Sequence, residues 1–158
     1  MEIYLMQHGQ ALSEQEDPER PLSRDGIEQI QLSARAIQKM GLVFDIIICS
    51  PRRRSHQTAA LVAEAIRYPY SDILESDTVL PQEDPEKIVN KLVKMIGDKV
   101  LLVGHLPNLS RVVAHLLEVT GTIVRFENGG LACVEMGANE KILKFSLSAA
   151  QMRLLGKS

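Results

Sequence analysis

The chain has no apolar run approaching the roughly 18 residues needed to span a bilayer. Its first residues, Glu2–Met6, read as a strand, where a secretory leader would show a basic patch and an apolar core. A cytoplasmic protein without membrane contact is the expectation. Charge of either sign is nearly balanced, with 18 Lys+Arg against 20 Asp+Glu and a net charge of −2. No general affinity for nucleic acid follows from that, and any basic site must be local. Cysteine is scarce: Cys49 and Cys133 both lie in strand-like apolar context, which reads as buried reduced thiols and not as a disulfide framework. No pair of histidines or cysteines has metal-ligand spacing, so neither a metal nor another cofactor is expected. Internal repeats, low-complexity segments and long linkers are missing too. A chain of 158 residues, 45% of them hydrophobic, is therefore expected to form one domain over residues 1–158, as a monomer by default.

What the chain does have is a repeated grammar around histidine. Ile3-Tyr4-Leu5-Met6-Gln7-His8-Gly9 and Val100-Leu101-Leu102-Val103-Gly104-His105 each place an imidazole directly after an apolar strand-like run and beside a glycine. In an open α/β sheet, reactive groups gather at the carboxyl ends of strands, where the chain turns toward the next helix. A glycine there permits close backbone approach and positive φ, both useful around a bound anion.

A third motif of the same placement lies between them. Ser50-Pro51-Arg52-Arg53-Arg54-Ser55-His56-Gln57-Thr58 follows Asp45-Ile46-Ile47-Ile48-Cys49, whose β-branched isoleucines read as a buried strand. Ser50 is expected as the N-cap and Pro51 in the first helical turn, with Ala59, Leu61, Val62, Ala65 and Ile66 continuing the helix. A helix N-terminus joins unpaired N–H groups to the positive end of the macrodipole and so suits a phosphate. An arginine placed there adds a planar fork that matches phosphoryl oxygens. Arg52 and Arg53 read as a solvated cationic face.

The remaining elements follow from periodicity. Ser13–Glu19 is a polar loop, and Ser23 is an N-cap for a helix with Ile27, Ile30, Ala34, Ile37 and Met40 on one side, stopped by Gly41. Tyr68-Pro69-Tyr70 breaks the arginine-bearing helix, and residues 73–80 offer an edge strand. Asp84-Pro85 starts a helix whose stripe is Ile88, Leu92 and Ile96. Asn108 is expected to cap a helix carrying Val112, Val113, Leu116 and Leu117. Leu131–Met136 and Ile142–Leu147 read as strands of a hairpin turning at Gly137-Ala138-Asn139-Glu140. The order predicts an α/β fold: a three-layer α/β/α arrangement around a mostly parallel sheet with an antiparallel edge.

Met6-Gln7-His8-Gly9, Ser50-Pro51-x-x-Arg54-x-x-Gln57-Thr58 and Val103-Gly104-His105, taken in this order, resemble the histidine phosphatase superfamily, whose fold is called phosphoglycerate-mutase-like. Arg20-Pro21-Leu22-Ser23-x-x-Gly26 and the short length are similar to its small branch, the SixA-type phosphohistidine phosphatases. The resemblance implies a nucleophilic histidine at His8, a second active-site histidine at His105, and phosphate-binding arginines at Arg54 and Arg20, with Gln7 and Gly9 adjoining the phosphate. For Arg20 the residues leave a second use open, a surface ion pair within Asp17-Pro18-Glu19-Arg20. His56 is expected to be exposed, and His115 to be a structural helix residue.

The chain departs from the family signature at Gln7, where that signature has arginine. Glutamine can donate to a phosphoryl oxygen but carries no charge. Losing one charge-assisted donor costs roughly 2–4 kcal/mol of transition-state stabilisation, a slowdown of about 10²–10³. A general acid is harder to place: Glu83 and Asp84 are candidates, although Asp84 also fits the N-cap before Pro85. The short connection between Arg54 and His105 leaves little room for a capping insertion, so the site should be open and shallow. These features point to a phosphohistidine protein phosphatase working through a phospho-His8 intermediate, with a phosphohistidine-bearing protein as substrate. The alternatives are a catalytically weak phosphate- or phosphoprotein-binding module and a phosphatase of small phosphomonoesters.

Overall fold

The computed structural model describes residues 1–158 and is built around one six-stranded sheet. Its strands are β1 (Glu2–Gln7), β2 (Ile46–Cys49), β3 (Leu74–Glu75), β4 (Lys99–Gly104), β5 (Leu131–Met136) and β6 (Lys141–Leu147), in the spatial order β3-β2-β4-β1-β5-β6. The β3, β2, β4 and β1 neighbours run parallel, whereas β5 and β6 are antiparallel additions. The helices are α1 (Arg24–Lys39), α2 (Arg53–Ile66), α3 (Pro85–Leu92), α4 (Asn108–Leu117) and α5 (Ala149–Lys157). This is the expected phosphoglycerate-mutase-like α/β arrangement.

Strand alternation sorts the core into two layers. Tyr4, Met6, Ile47, Cys49, Leu101, Val103 and Cys133 face α1, α2 and α5, whose Ile30, Ile37, Val62 and Met152 complete that side. Ile3, Leu5, Ile48, Val100, Leu102 and Val134 face α3 and α4, with Ile88, Leu92, Leu109 and Val112 opposite. The central strands β1 and β4 are thus buried on both faces, which explains their continuous apolar runs. Cys49 and Cys133 are buried free thiols within the first layer, and burial pushes both pKa values up, to about 12 and about 11.

This layering creates a crevice. After β1 the chain leaves to α1 on one face, and after β4 it leaves to α4 on the other. β1 and β4 are parallel neighbours, with Gln7 beside Gly104. Adjacent parallel strands whose connections diverge to opposite faces open a gap at their carboxyl ends. His8 and His105 are the next residues on each strand.

Several local expectations need correction. Helix α2 starts at Arg53 with Arg52 as its N-cap, so Pro51 lies outside it and Ser50 does not cap it. Ser50 is completely buried and its hydroxyl is bonded to His105 instead. Pro107, not Asn108, is the residue before α4; Asn108 is buried in the first turn and donates from Nδ2 to the Glu83 carbonyl at 3.1 Å. Helix α3 ends at Leu92, leaving Ile96 99% exposed and outside the apolar stripe. The turn must close into β4, and the Asp45 carboxylate accepts from the backbone N–H of Asp98 and Lys99 at 2.8 and 2.9 Å to hold it there. Ser23 caps α1 and Asp84 caps α3 as read. Helix α5, unread in the sequence, starts with a capping box of Ser148 and Gln151 and packs on α1. Its Gly156 lies against the Leu32 carbonyl, which a Cβ would approach to 2.1 Å, so only glycine permits that contact.

Candidate active site

His8 is held almost entirely by main-chain bonds. Its N–H donates to the Gly104 carbonyl across the crevice at 3.1 Å, and its carbonyl accepts from Asn128 Nδ2 at 2.8 Å. Its ring Nδ1 lies 2.7 Å from the Gly9 carbonyl. A carbonyl can only accept, so Nδ1 carries the proton and Nε2 presents a lone pair. Arg54, in the first turn of α2, points its Nε at that lone pair from 3.3 Å.

Gly9 is a place where a side chain cannot go. A Cβ there would meet Ile30 Cγ1 at 2.5 Å, and the Gly9 N–H donates to Thr58 Oγ1 at 3.0 Å. The same hydroxyl donates to the Arg54 carbonyl at 2.8 Å, which couples the turn after β1 to the turn of helix carrying the arginine. Neither Gly9 nor Gly104 has positive φ; close packing is what calls for glycine at both. Gln57, one turn along α2 from Arg53, accepts from the Leu22 N–H at 2.7 Å and ties down the segment after Arg20. Gln57 and Thr58 thus position two phosphate-site candidates without facing the pocket's centre.

His105 is only 2% exposed, and its ring lies 4.8 Å from that of His8, centroid to centroid, tilted by 59°. Its Nε2 is 2.6 Å from Ser50 Oγ, which also accepts from the Arg52 N–H at 3.3 Å. Burial, then the charge of Arg54 and that of Arg20, lowers the His8 pKa to about 4, against an opposing contribution from the Gly9 carbonyl bond. Burial first, then His8, Arg54, Arg52 and Arg20, lowers that of His105 to about 3. Both imidazoles are therefore neutral at pH 7. Burial and the neighbouring Arg20 and Arg52 depress the Arg54 pKa too, but guanidinium remains charged.

Arg20 makes no ion pair. It has the left-handed φ of 48°, its Nε donates to the Leu12 carbonyl at 3.0 Å, and it lines the histidine pocket. Its neighbour Glu19 pairs with Arg53 at 2.7 Å instead. The pocket has a volume of about 450 Å³, and Gln7, His8, Arg20, Arg54 and His105 all line it. Asn128, Pro81 and Leu106 line it as well, and sequence reasoning missed them. The Asn128-Gly129-Gly130 turn was a visible signal: Gly129 has φ 79° and its N–H donates to the Gln7 carbonyl at 3.0 Å. Gln7 Oε1 is buried with no hydrogen-bond partner. Arg52 and Arg53 do not line this pocket but an adjoining cleft. The carboxylates offered as acids are engaged elsewhere, Glu83 with Lys87 at 2.6 Å and Asp84 with the Glu86 N–H at 2.9 Å. His56 is partly covered beside Tyr70 and Glu75, and His115 is exposed on the last turn of α4.

A neutral imidazole with a fixed tautomer, two arginines and a second buried imidazole around one opening are groups suited to phosphoryl chemistry. The family model of the histidine phosphatase superfamily (branch 1) matches residues 3–74. An uncharacterized protein of Picosynechococcus sp. is 30% identical over 145 residues, 87% of each chain. The chain belongs to the histidine phosphatase superfamily. Within it, phosphohistidine phosphatase SixA of Escherichia coli (strain K12) is 27% identical over 124 residues, 73% of this chain and 74% of that one. The solved structure of the protein histidine phosphatase SixA complexed with tungstate superposes with a TM-score of 0.85 at 24% identity, covering 95% of this chain and 98% of that one. The alpha-ribazole phosphatase of Shigella flexneri shares the fold at a TM-score of 0.78 and 17% identity, with coverage of 94% and 97%. No helix of the chain is long and apolar enough to cross a membrane.

Proposed function

We propose that the protein is a phosphohistidine protein phosphatase in which His8 is the nucleophile. The observation that carries this reading is a pocket lined by two arginines and two imidazoles and by no carboxylate, the candidate acids Glu83 and Asp84 being held by Lys87 and by the α3 backbone. An alcohol leaving group requires a strong proton donor as it departs. An imidazole does not, since its conjugate acid has a pKa near about 6.5, so a phosphohistidine can be cleaved by a site of this composition.

In the first step His8 Nε2 attacks phosphorus in line, forming a P–N bond as the P–N bond to the substrate imidazole breaks. The departing ring, already protonated on its other nitrogen, keeps the electron pair of that bond and leaves as neutral imidazole. The Gly9 carbonyl holds Nδ1–H and stabilises the positive charge that develops on the His8 ring. Arg54 moves from the Nε2 lone pair to the phosphoryl oxygens, joined by Arg20 and by the Gln7 amide. His105, neutral and braced by Ser50, offers an N–H to the same group. Water then attacks the phosphoimidazole, restoring His8 and releasing phosphate.

The likeness to SixA supports the substrate class, and the pocket, flanked by a cleft on the open surface, accommodates a histidine displayed on another protein. Phosphate release from a phosphohistidine protein, measured beside a small phosphomonoester, is the test. Faster release from the phosphohistidine protein is expected. Preference for the phosphomonoester points to a small-molecule phosphatase, and release from neither points to a binding module.

A further inference from the structure

A second opening of about 550 Å³ adjoins the histidine pocket and shares Arg20, Arg54 and Pro81 with it. No hydrophobic residue lines it; its charged groups are four arginines (Arg20, Arg52, Arg53 and Arg54) against Glu14 and Glu19. In a chain of net charge −2, that is a local concentration of positive charge next to the reacting group. The arginines are not equivalent. Arg54 points at the His8 ring, Arg20 is bonded to the Leu12 carbonyl, and Arg53 is occupied by Glu19 at 2.7 Å. Arg52 is exposed, and its guanidinium has no acidic partner or hydrogen bond within the chain. Its backbone N–H is fixed on Ser50 Oγ, the same atom that braces His105. The root of this side chain is therefore positioned relative to the catalytic rings while its charged end is free.

We infer that Arg52 is a specificity residue, reading a carboxylate on the protein substrate one step away from the phosphorylated histidine. The inference rests on the phosphohistidine reading and deepens it: the preferred substrate presents an aspartate or glutamate beside its phosphohistidine. A guanidinium fork binds a carboxylate bidentately, and Pro18, Pro51 and Pro81 give a flanking peptide uncharged walls to lie against. Because the contact is exposed, it should be modest and salt-sensitive, fading as the Debye length falls from about 10 Å at 0.1 M to about 3 Å at 1 M.

The test uses phosphohistidine peptides identical except for Glu or Gln beside the histidine, with wild type, Arg52→Gln, Arg52→Lys and Arg52→Glu. Wild type should favour the acidic flank by about 5-fold in kcat/KM, mainly through KM and less so at high salt. Arg52→Gln should remove the preference, Arg52→Lys should keep part of it, and Arg52→Glu should reverse it. Hydrolysis of free phosphohistidine should change less than about 2-fold in every variant. A preference that survives Arg52→Gln, or no preference in wild type, overturns the role of Arg52 and leaves the phosphohistidine reading standing. Turnover of none of the peptides overturns both.

Discussion

The histidine pocket and the arginine cleft share a wall, yet opposite means hold them. In the pocket, the reacting rings are fixed by backbone carbonyls, buried hydroxyls and strand register: His8 on Gly104 and Gly9, His105 on Ser50, both at the ends of strands buried on two faces. In the cleft, the groups stand on the loop before Arg20 and the first turn of α2. Their one ion pair, Arg53–Glu19, joins side chains that are 52% and 69% exposed. Low dielectric and fixed geometry make each pocket contact strong and intolerant of change. Water and salt make each cleft contact weak and easily altered. The proposed chemistry thus falls where the fold is rigid, and the proposed substrate preference where substitution is cheap.

The largest effect that could break this comparison is at His8. His8→Ala should lower phosphate release by on the order of 10³ or more, since no other imidazole presents an Nε2 lone pair to the pocket. Rapid-quench labelling should trap acid-labile phosphate on the wild type and none on the variant. Label retained by His8→Ala would move the nucleophile elsewhere and undo the assignment of the pocket as the reacting half.

Acidification separates the two regions next. His8 and His105, in the pocket, are buried neutral, with pKa values near 4 and 3 against 6.5 for a free imidazole. Below pH 6.5 the unfolded chain takes up protons on these histidines that the folded chain refuses. Folded stability is therefore full above about pH 6.5 and is lost as pH falls toward 4 and 3. Melting temperatures between pH 7 and 4 should fall more steeply for wild type than for His105→Gln, which removes one of the two groups. Equal slopes would mean that the imidazole is already protonated in the folded state.

The same contrast explains what is legible in the sequence. β1, β2 and β4 follow from apolar runs, because strands buried on two faces have few alternatives, and the hairpin of β5 and β6 follows from alternation and its turn. His8, Arg54 and His105 are legible because each stands just beyond such a strand, and α/β geometry gathers those points. Ser50 and Asn108 mislead, since both are good cap residues by local chemistry. Tertiary partners, His105 and the Glu83 carbonyl, win the competition for their side chains. The Asn128-Gly129-Gly130 turn is visible in the sequence, but the partner of Asn128 is not. Asn128 acts on His8 from 120 residues away through a backbone carbonyl, and no local pattern encodes such a contact. Helix α5 escapes because only Met152 and Gly156 are buried on it, too little for a periodic stripe.

Gln7 carries the smallest of the effects and the sharpest test, because replacing it moves a cleft-like charge into the pocket. Its Oε1 is buried without a hydrogen-bond partner. If the phosphoryl group lacks a charged donor there, Gln7→Arg should raise turnover of a phosphohistidine peptide by about 10-fold, chiefly in kcat, because the added contact strengthens as charge develops on the phosphoryl oxygens. Against this stands crowding. Arg54 already feels Arg20 and Arg52, and a further guanidinium adds like charge beside two imidazoles that burial keeps neutral. The bound phosphoryl dianion offsets that repulsion only while substrate occupies the site, so the variant should melt at a lower temperature when empty and recover with added phosphate. A kcat gain together with phosphate-dependent recovery identifies Gln7 as a brake on the pocket's chemistry. Unchanged kcat with reduced stability shows that Arg20 and Arg54 already supply all the charge that the transition state uses, and that the pocket tolerates no more.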